Sequence, residues 1–305
     1  MSRVSKGRRG YQLPSRSSFP LPEHGLTGAA PRAVTMTIRE IACKSALTET
    51  GLPADWAINC YVGCQHACAY CYARYMKRFT GHREPWGTFV DVRVNGPEVL
   101  AREVRRKPPA SVILSSVCDG WQPLEEKHRV SGRCVEILAR SGWHVSILTK
   151  SALVRRDLPL LEGKSADLGI TLTAWDEKLR RAIEPGASPT AERLDVLKEA
   201  AGRGIEIWAF LGPFLPMLTD TMENLEPLFA AVAKLPLTHI HTDRVNFRSG
   251  VAASLKAMVR KHFPHLEDDY LWLGSDGGED QAYADQLRTR LDLLAQRHRI
   301  ADKMR

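Results

Sequence analysis

From about residue 55 onward, short β-branched or apolar runs alternate with helix-length amphipathic stretches. Strand side chains repeat every two residues and helical ones every 3.6, so the switching period predicts repeated βα units and a parallel sheet. Six runs read as strands, at 56–62, 111–117, 144–149, 168–173, 205–211 and 237–242. Helical patterns lie between them at 97–106, 124–140, 188–203 and 221–235, with Ser188 placed to cap the third. Right-handed crossovers curl such a series into a partial (βα)6 barrel of the TIM type, an α/β fold. Two more helical stretches, 251–263 and 282–300, add a C-terminal helical extension. The expected organisation is a basic, disordered arm over 1–40, the barrel over 41–245 and a helical cap over 246–305. Functional residues in a barrel of this kind belong at the carboxyl ends of the strands.

Composition narrows the class. A chain of 305 residues that is 44% hydrophobic has material for a substantial core. No run approaches the roughly 18 apolar residues of a membrane helix, and the N-terminus lacks the apolar block of a secretory signal, so a cytoplasmic protein without a membrane partner is expected. The seven cysteines are odd in number and clustered, which suits reduced thiols or metal ligands better than a disulfide framework. Of the net charge of +8, residues 1–40 supply +5, from Arg3, Lys6, Arg8, Arg9, Arg16, Arg32 and Arg39 against Glu23 and Glu40. A basic arm of this kind suits sequence-blind contact with nucleic-acid phosphates. A solvated tail without a partner explains it equally well.

The chemistry concentrates in NCYVGCQHACAYCYAR, residues 59–74. Cys64, Cys68 and Cys71 form a C-x3-C-x2-C group directly after the first strand. Structural zinc wants four ligands, commonly as two separated knuckles, and no second knuckle is present. Three thiolates suit a 4Fe-4S cluster that leaves one iron open to a small molecule. Cys60 as a fourth ligand would close the site and make a non-enzymatic iron-sulfur or zinc protein, but in an extended strand its sulfur is carried away from the loop. Cys60, Cys43 and Cys134 read more simply as core thiols. A third reading is a nucleic-acid-binding module built on the basic arm.

Other candidates sit near strand ends. Lys150 closes the third strand, and Thr171 and Thr173 share one face of the fourth, either toward a cofactor or as β-branched fillers. Glu184 and Arg193 suit a structural pair, although the fixed fork of Arg193 also suits a ligand carboxylate. His239, His241 and Asp243 alternate on the sixth strand, where a polar barrel face accounts for them without a metal. Phe214 and Met217 lie in a loop at the barrel mouth.

The C-x3-C pattern followed by an aromatic and a cysteine, GCQHACAYCYAR, resembles the signature of the radical S-adenosylmethionine (SAM) superfamily. Five segments, NCYVGCQHACAYCYAR, SSVCDGWQPLE, VSILTKSALVRRDLPLL, TLTAWDEKLRRAIEPGASPTAERL and DRVNFR, are similar to those of the spore photoproduct lyase-like group, also described as DNA repair photolyase-related. The resemblance implies a 4Fe-4S cluster on Cys64, Cys68 and Cys71, SAM as second cofactor, and an electron donor such as flavodoxin or ferredoxin. It implies reductive cleavage of SAM to a 5′-deoxyadenosyl radical that takes hydrogen from a substrate it does not identify, with nucleic acid indicated. It further implies that Lys150 meets the methionine carboxylate and that Tyr70 and Tyr72 pack on the adenine, with Thr171, Thr173 and Arg193 as further cofactor-facing candidates. Spore photoproduct lyases carry a hydrogen-donating cysteine at the end of the second strand. Anchored on Asp119, this chain has Ser116 at that position and Cys118 two residues on, about 6 to 7 Å along a strand. Cys118 is therefore the candidate hydrogen donor.

Overall fold

The computed structural model describes residues 36–247, 250–271 and 281–305. The expected basic arm lies outside the described residues as far as position 35, and the residues just after it enter a strand. Ten strands are described: β1 (Thr37–Ile41), β2 (Leu47–Glu49), β3 (Trp56–Ile58), β4 (Tyr61–Val62), β5 (Phe89–Arg93), β6 (Ser111–Leu114), β7 (His144–Thr149), β8 (Ala166–Leu172), β9 (Glu206–Phe214) and β10 (Ile240–Arg244). The main sheet runs β10-β9-β8-β7-β6-β3-β2, parallel throughout except for β2, which is antiparallel to β3. A small second sheet, β1-β5-β4, is hydrogen-bonded separately but shares the main core through Tyr61, Val90 and Val92. The six parallel strands are the six expected runs, and their sheet stops at β10 on one side and β2 on the other, a partial barrel.

Pleating explains the layers. In β7 buried and half-buried residues alternate, and in β8 Leu168, Ile170 and Leu172 are fully buried. These side chains join Ile207, Ala209 and Leu211 of β9 and Leu194, Val196 and Leu197 of the helix Thr190–Gly202 in one apolar core. Each such Leu or Ile stabilises the fold by roughly 1.5–3 kcal/mol. The other face is polar. Asp167 accepts from Trp208 Nε1 (2.6 Å), Ser146 Oγ (2.8 Å) and His144 Nε2 (2.9 Å). His239 stacks on Trp208 at 5.2 Å, and His241 meets the same ring edge-on.

Local departures have physical causes. The run 56–62 divides because the chain leaves the main sheet after Ile58 and pairs with β5 through β4. The helical stretch 124–140 divides at Arg129 (φ 52°), where the buried carboxylate of Glu125 accepts from the Ser131 and Gly132 amides (3.0 and 2.9 Å) and so caps the helix Val130–Arg140. Pro189, not Ser188, is the N-cap of the fourth βα unit's helix. The Ser188 hydroxyl instead accepts from Ala152 N at 2.8 Å. A helix absent from the sequence reading, Glu177–Ile183, is capped by Asp176, which accepts from Leu179 N at 2.7 Å.

The C-terminal helix Gln281–Arg297 packs against the helix Met222–Val232 and brings Arg290 to Asp220, donating to its carbonyl at 2.8 Å and lying 3.6 Å from its carboxylate. Burial raises the Asp220 carboxyl to about 6 despite Arg290 and the flanking Tyr283. An acid whose folded pKa is raised contributes most below its unfolded pKa, near 4, and that contribution is lost as pH rises through 6, a change of about 3 kcal/mol. Asp220→Asn is expected to remove this slope. Urea midpoints at pH 4.5 and 7 check it, with the variant gaining on the native chain at the higher pH.

Candidate active site

The three clustered thiols follow β4 on a loop held from two sides. On one side Gln65 N donates to Gln122 Oε1 (2.8 Å), Leu124 N donates to Gln65 Oε1 (2.7 Å) and Gln122 Nε2 donates to the Gly63 carbonyl (3.4 Å). On the other side Ala69 N donates to the Ile183 carbonyl (2.8 Å) and Gly186 N to that of His66 (3.1 Å). A Cβ at position 186 would overlap the Gln65 carbonyl oxygen, so only glycine lets the two backbones approach this closely. The 184–189 run is thereby a clamp on the loop.

Asp119, just past the end of β6, ties the same region together. It accepts from Trp121 N (2.9 Å), Thr149 Oγ1 (2.7 Å) and Lys150 N (2.9 Å), and His66 Nδ1 stands 3.3 Å from it. Burial alone would raise its carboxyl, but His66, Lys150 and Thr149 hold it well below the usual carboxylate range.

Cys64 and Cys68 are buried, Cys71 is half-buried, and all seven cysteines are free. Burial raises all three clustered thiols, Cys64 well above its ordinary value and Cys68 to about 12, with Lys150 pulling Cys68 and Cys71 the other way. Lys150 itself, at the end of β7, is raised against burial by Cys68, Glu184 and Asp119. The Lys150 charge thus acts on two of the three thiols.

Tyr70, Thr173 and Arg193 fall in one buried network around Glu184. The Tyr70 hydroxyl donates to Glu184 and lies 3.2 Å from Thr173 Oγ1, which donates to the Gly212 carbonyl at 2.6 Å. Arg193 is fully buried. Its Nη2 donates to Glu184 (2.5 Å), Nη1 to the Thr171 carbonyl (2.9 Å) and Nε to the Ser188 carbonyl (2.7 Å). Thr171 thus meets Arg193 through its backbone. Burial would raise Glu184, yet Arg193, Lys150 and Tyr70 bring it to about 2. Tyr72 is 40% exposed, and its hydroxyl donates to the Ser116 carbonyl. Half-buried Cys118 donates to Asn59 Oδ1 at 3.7 Å, while Asn59 Nδ2 donates to Ser116 Oγ at 3.0 Å. Cys60 lies in the main core with its sulfur 3.9 Å from that of Cys134, in a different apolar cluster from Cys64, Cys68 and Cys71.

Among the described residues, no three or more His, Cys, Asp or Glu side chains gather tightly enough to hold a single metal ion. A cubane makes a different demand, since each thiolate binds a different iron and the sulfurs stand apart. Two buried thiols and one half-buried thiol on a single loop, without oxygen or nitrogen ligands among them, fit that group: iron would replace the protons that burial favours on sulfur.

The fold and this loop define a class, and the chain belongs to the radical SAM superfamily, whose sequence model matches residues 58–229. Members of that superfamily use a 4Fe-4S cluster and SAM and need a reductant. An uncharacterized protein of Mycobacterium tuberculosis is 30% identical over 285 residues, covering 89% of this chain and 84% of its own. One from Methanocaldococcus jannaschii is 34% identical over 186 residues, 60% of this chain and 70% of its own. Among solved structures, a spore photoproduct lyase variant with bound AdoMet and dinucleoside spore photoproduct superposes with a TM-score of 0.60 at 15% identity, over 79% of this chain and 72% of that one. At that identity the likeness is one of fold. No helix of the described residues is long and apolar enough to cross a membrane.

Proposed function

We propose that this chain is a lyase-like radical SAM enzyme acting on nucleic acid, with Cys64, Cys68 and Cys71 holding the cluster and a soluble carrier such as flavodoxin or ferredoxin supplying the electron. When bound, the cluster and SAM supply one-electron cleavage of a C–S bond and a 5′-deoxyadenosyl radical that takes hydrogen from the substrate. Lys150 carries the reading: it follows directly on the end of β7, its charge acts on Cys68 and Cys71, and its ammonium would meet the carboxylate of the methionine moiety. Tyr70 and Tyr72 flank Cys71 and offer rings to the adenine. Thr171, Thr173 and Arg193 act by positioning, through the Glu184 network. Burial raises the Cys118 thiol to about 12, which keeps the hydrogen on sulfur that a donor to a substrate radical must have.

Two observations support nucleic acid. Residues 72–83 carry Arg74, Lys77, Arg78 and Arg83 with no acidic residue. Phe79 is 66% exposed, with the Arg78 guanidinium 4.6 Å from its ring centre, the aromatic and cationic pairing that accepts stacked bases. The likeness to spore photoproduct lyase leaves the lesion open, because Ser116 stands where that group has its donor cysteine.

The test is anaerobic. Protein reconstituted with iron and sulfide, reduced and given SAM, is expected to release 5′-deoxyadenosine and methionine. Protein that carries one zinc, or a reduced cluster that leaves SAM intact, overturns the reading.

A further inference from the structure

Trp86 belongs to no motif that the proposed function uses. It is 7% exposed, and its indole nitrogen, like that of Trp143 in the main core, is buried with no hydrogen-bond partner, sulfur included, among the described residues. Two other buried indoles do find oxygen acceptors, Trp121 on Asp157 (2.9 Å) and Trp208 on Asp167 (2.6 Å). An indole N–H is a donor only, and removing it from water without an acceptor costs roughly 1–3 kcal/mol. Its surroundings point to what accepts. Trp86 lies in a small apolar cluster with Cys64, Ala73 and Phe89, against which Cys71 packs.

The ring is firmly seated. Trp86 meets Phe89 edge-on (5.8 Å, 88°), and Phe89 stacks on His82 (4.0 Å), whose two nitrogens lie 3.1 and 3.0 Å from Glu84 and Asp91. Gly87, at φ 95°, presses its backbone on Ala67 within the cysteine loop. A Cβ there would come within 2.5 Å of the Ala67 Cβ. The 86–89 segment therefore grips the loop on a third side and fixes the direction of the indole N–H.

We propose that Trp86 is a positioning residue of the cluster, its orphaned indole N–H donating to the sulfur of Cys64 or Cys71 once the cluster is held and favouring the reduced, more negative state. This rests on the reading that Cys64, Cys68 and Cys71 hold a 4Fe-4S cluster. Hydrogen bonds to cluster sulfurs set reduction potential, and a donor stabilises the state with more negative charge on sulfur. It also explains a buried donor that otherwise has no acceptor.

The experiment uses the full chain, reconstituted anaerobically and without SAM, with dithionite and mediator dyes as the reductant. Trp86→Phe keeps the ring and removes the donor. At a fixed solution potential the ratio of reduced to oxidised cluster is expected to fall about fivefold, the worth of an ordinary net hydrogen bond. Trp143→Phe, which removes a buried indole N–H from the main core and leaves the seat of Trp86 intact, is expected to leave the ratio unchanged. An unchanged ratio in Trp86→Phe at full iron content, or an equal fall in Trp143→Phe, overturns the proposal. Should Trp86→Phe fail to load iron, pulsed electron paramagnetic resonance on the reduced native chain carrying 15N-indole tryptophan decides: a nitrogen coupling to the cluster supports the bond, and its absence overturns it. Native chain that assembles no four-iron cluster sinks the functional reading itself, an outcome separate from a cluster whose potential ignores Trp86.

Discussion

Replacing Arg193 by methionine is expected to lower the thermal midpoint of the apo chain by roughly 10 °C at neutral pH. Both members of the Arg193–Glu184 pair are fully buried and 2.5 Å apart, so removing the guanidinium leaves a carboxylate with no counter-charge except Lys150. Breaking a buried pair from one side costs about 3–5 kcal/mol, and each kcal/mol moves the midpoint of a domain near this size by roughly 2–4 °C. The change also releases the Thr171 and Ser188 carbonyls that Arg193 satisfies. Acid should narrow the gap. In the native chain Glu184 is depressed to about 2, so its contribution is present above its ordinary value near 4.5 and is lost as pH falls toward 2. In the variant the lone carboxyl can protonate at mild acidity, and the deficit shrinks from pH 7 to pH 4. Adding Glu184→Gln should recover part of the loss. Calorimetry on the native chain and the single and double variants checks this, and equal midpoints for native and Arg193→Met would show that the pair contributes nothing.

The second large effect is chemical. Cys71→Ala is expected to abolish the iron-sulfur absorbance and to reduce 5′-deoxyadenosine release by more than the roughly 10–100-fold that changes around a metal's ligands cost. Cys64→Ala and Cys68→Ala should behave alike. Cys60→Ala should keep iron and activity, because the Cys60 sulfur faces Cys134 in the core. Iron and sulfide analysis beside the product assay reads both outcomes. Loss of iron in Cys60→Ala would mean that a fourth thiolate closes the site.

What could be read from residue order differs from what could not for a physical reason. The six parallel strands were legible because strands buried under helices are continuous apolar runs, as in 168–172 and 207–211. β1 escaped notice because TIREI lies mostly exposed and carries no apolar period, and β2 is three residues long. β5, FVDVR, hides a buried aspartate whose partner, His82, comes from outside the strand. In the site, the cysteines announce themselves because their spacing is local. Their supports do not: Tyr70 meets Glu184 across 114 positions and Thr173 across 103, and Gln65 reaches Gln122 across 57. The Glu184 and Arg193 side chains were visible as a possible pair, but their hold on Tyr70 was not. Trp86 had no signal, since an indole beside a sulfur leaves no trace in spacing.

The cysteine loop is gripped by segments near positions 86, 122 and 186, each brought to it by a different part of the fold. Small zinc modules acquire their shape from the metal. This chain is expected to reverse that order of assembly: its cysteine loop is held by a scaffold that packs without metal, so on the proposed reading iron would arrive late, on a folded host, and starving cells of iron should leave an intact vessel ready for later filling.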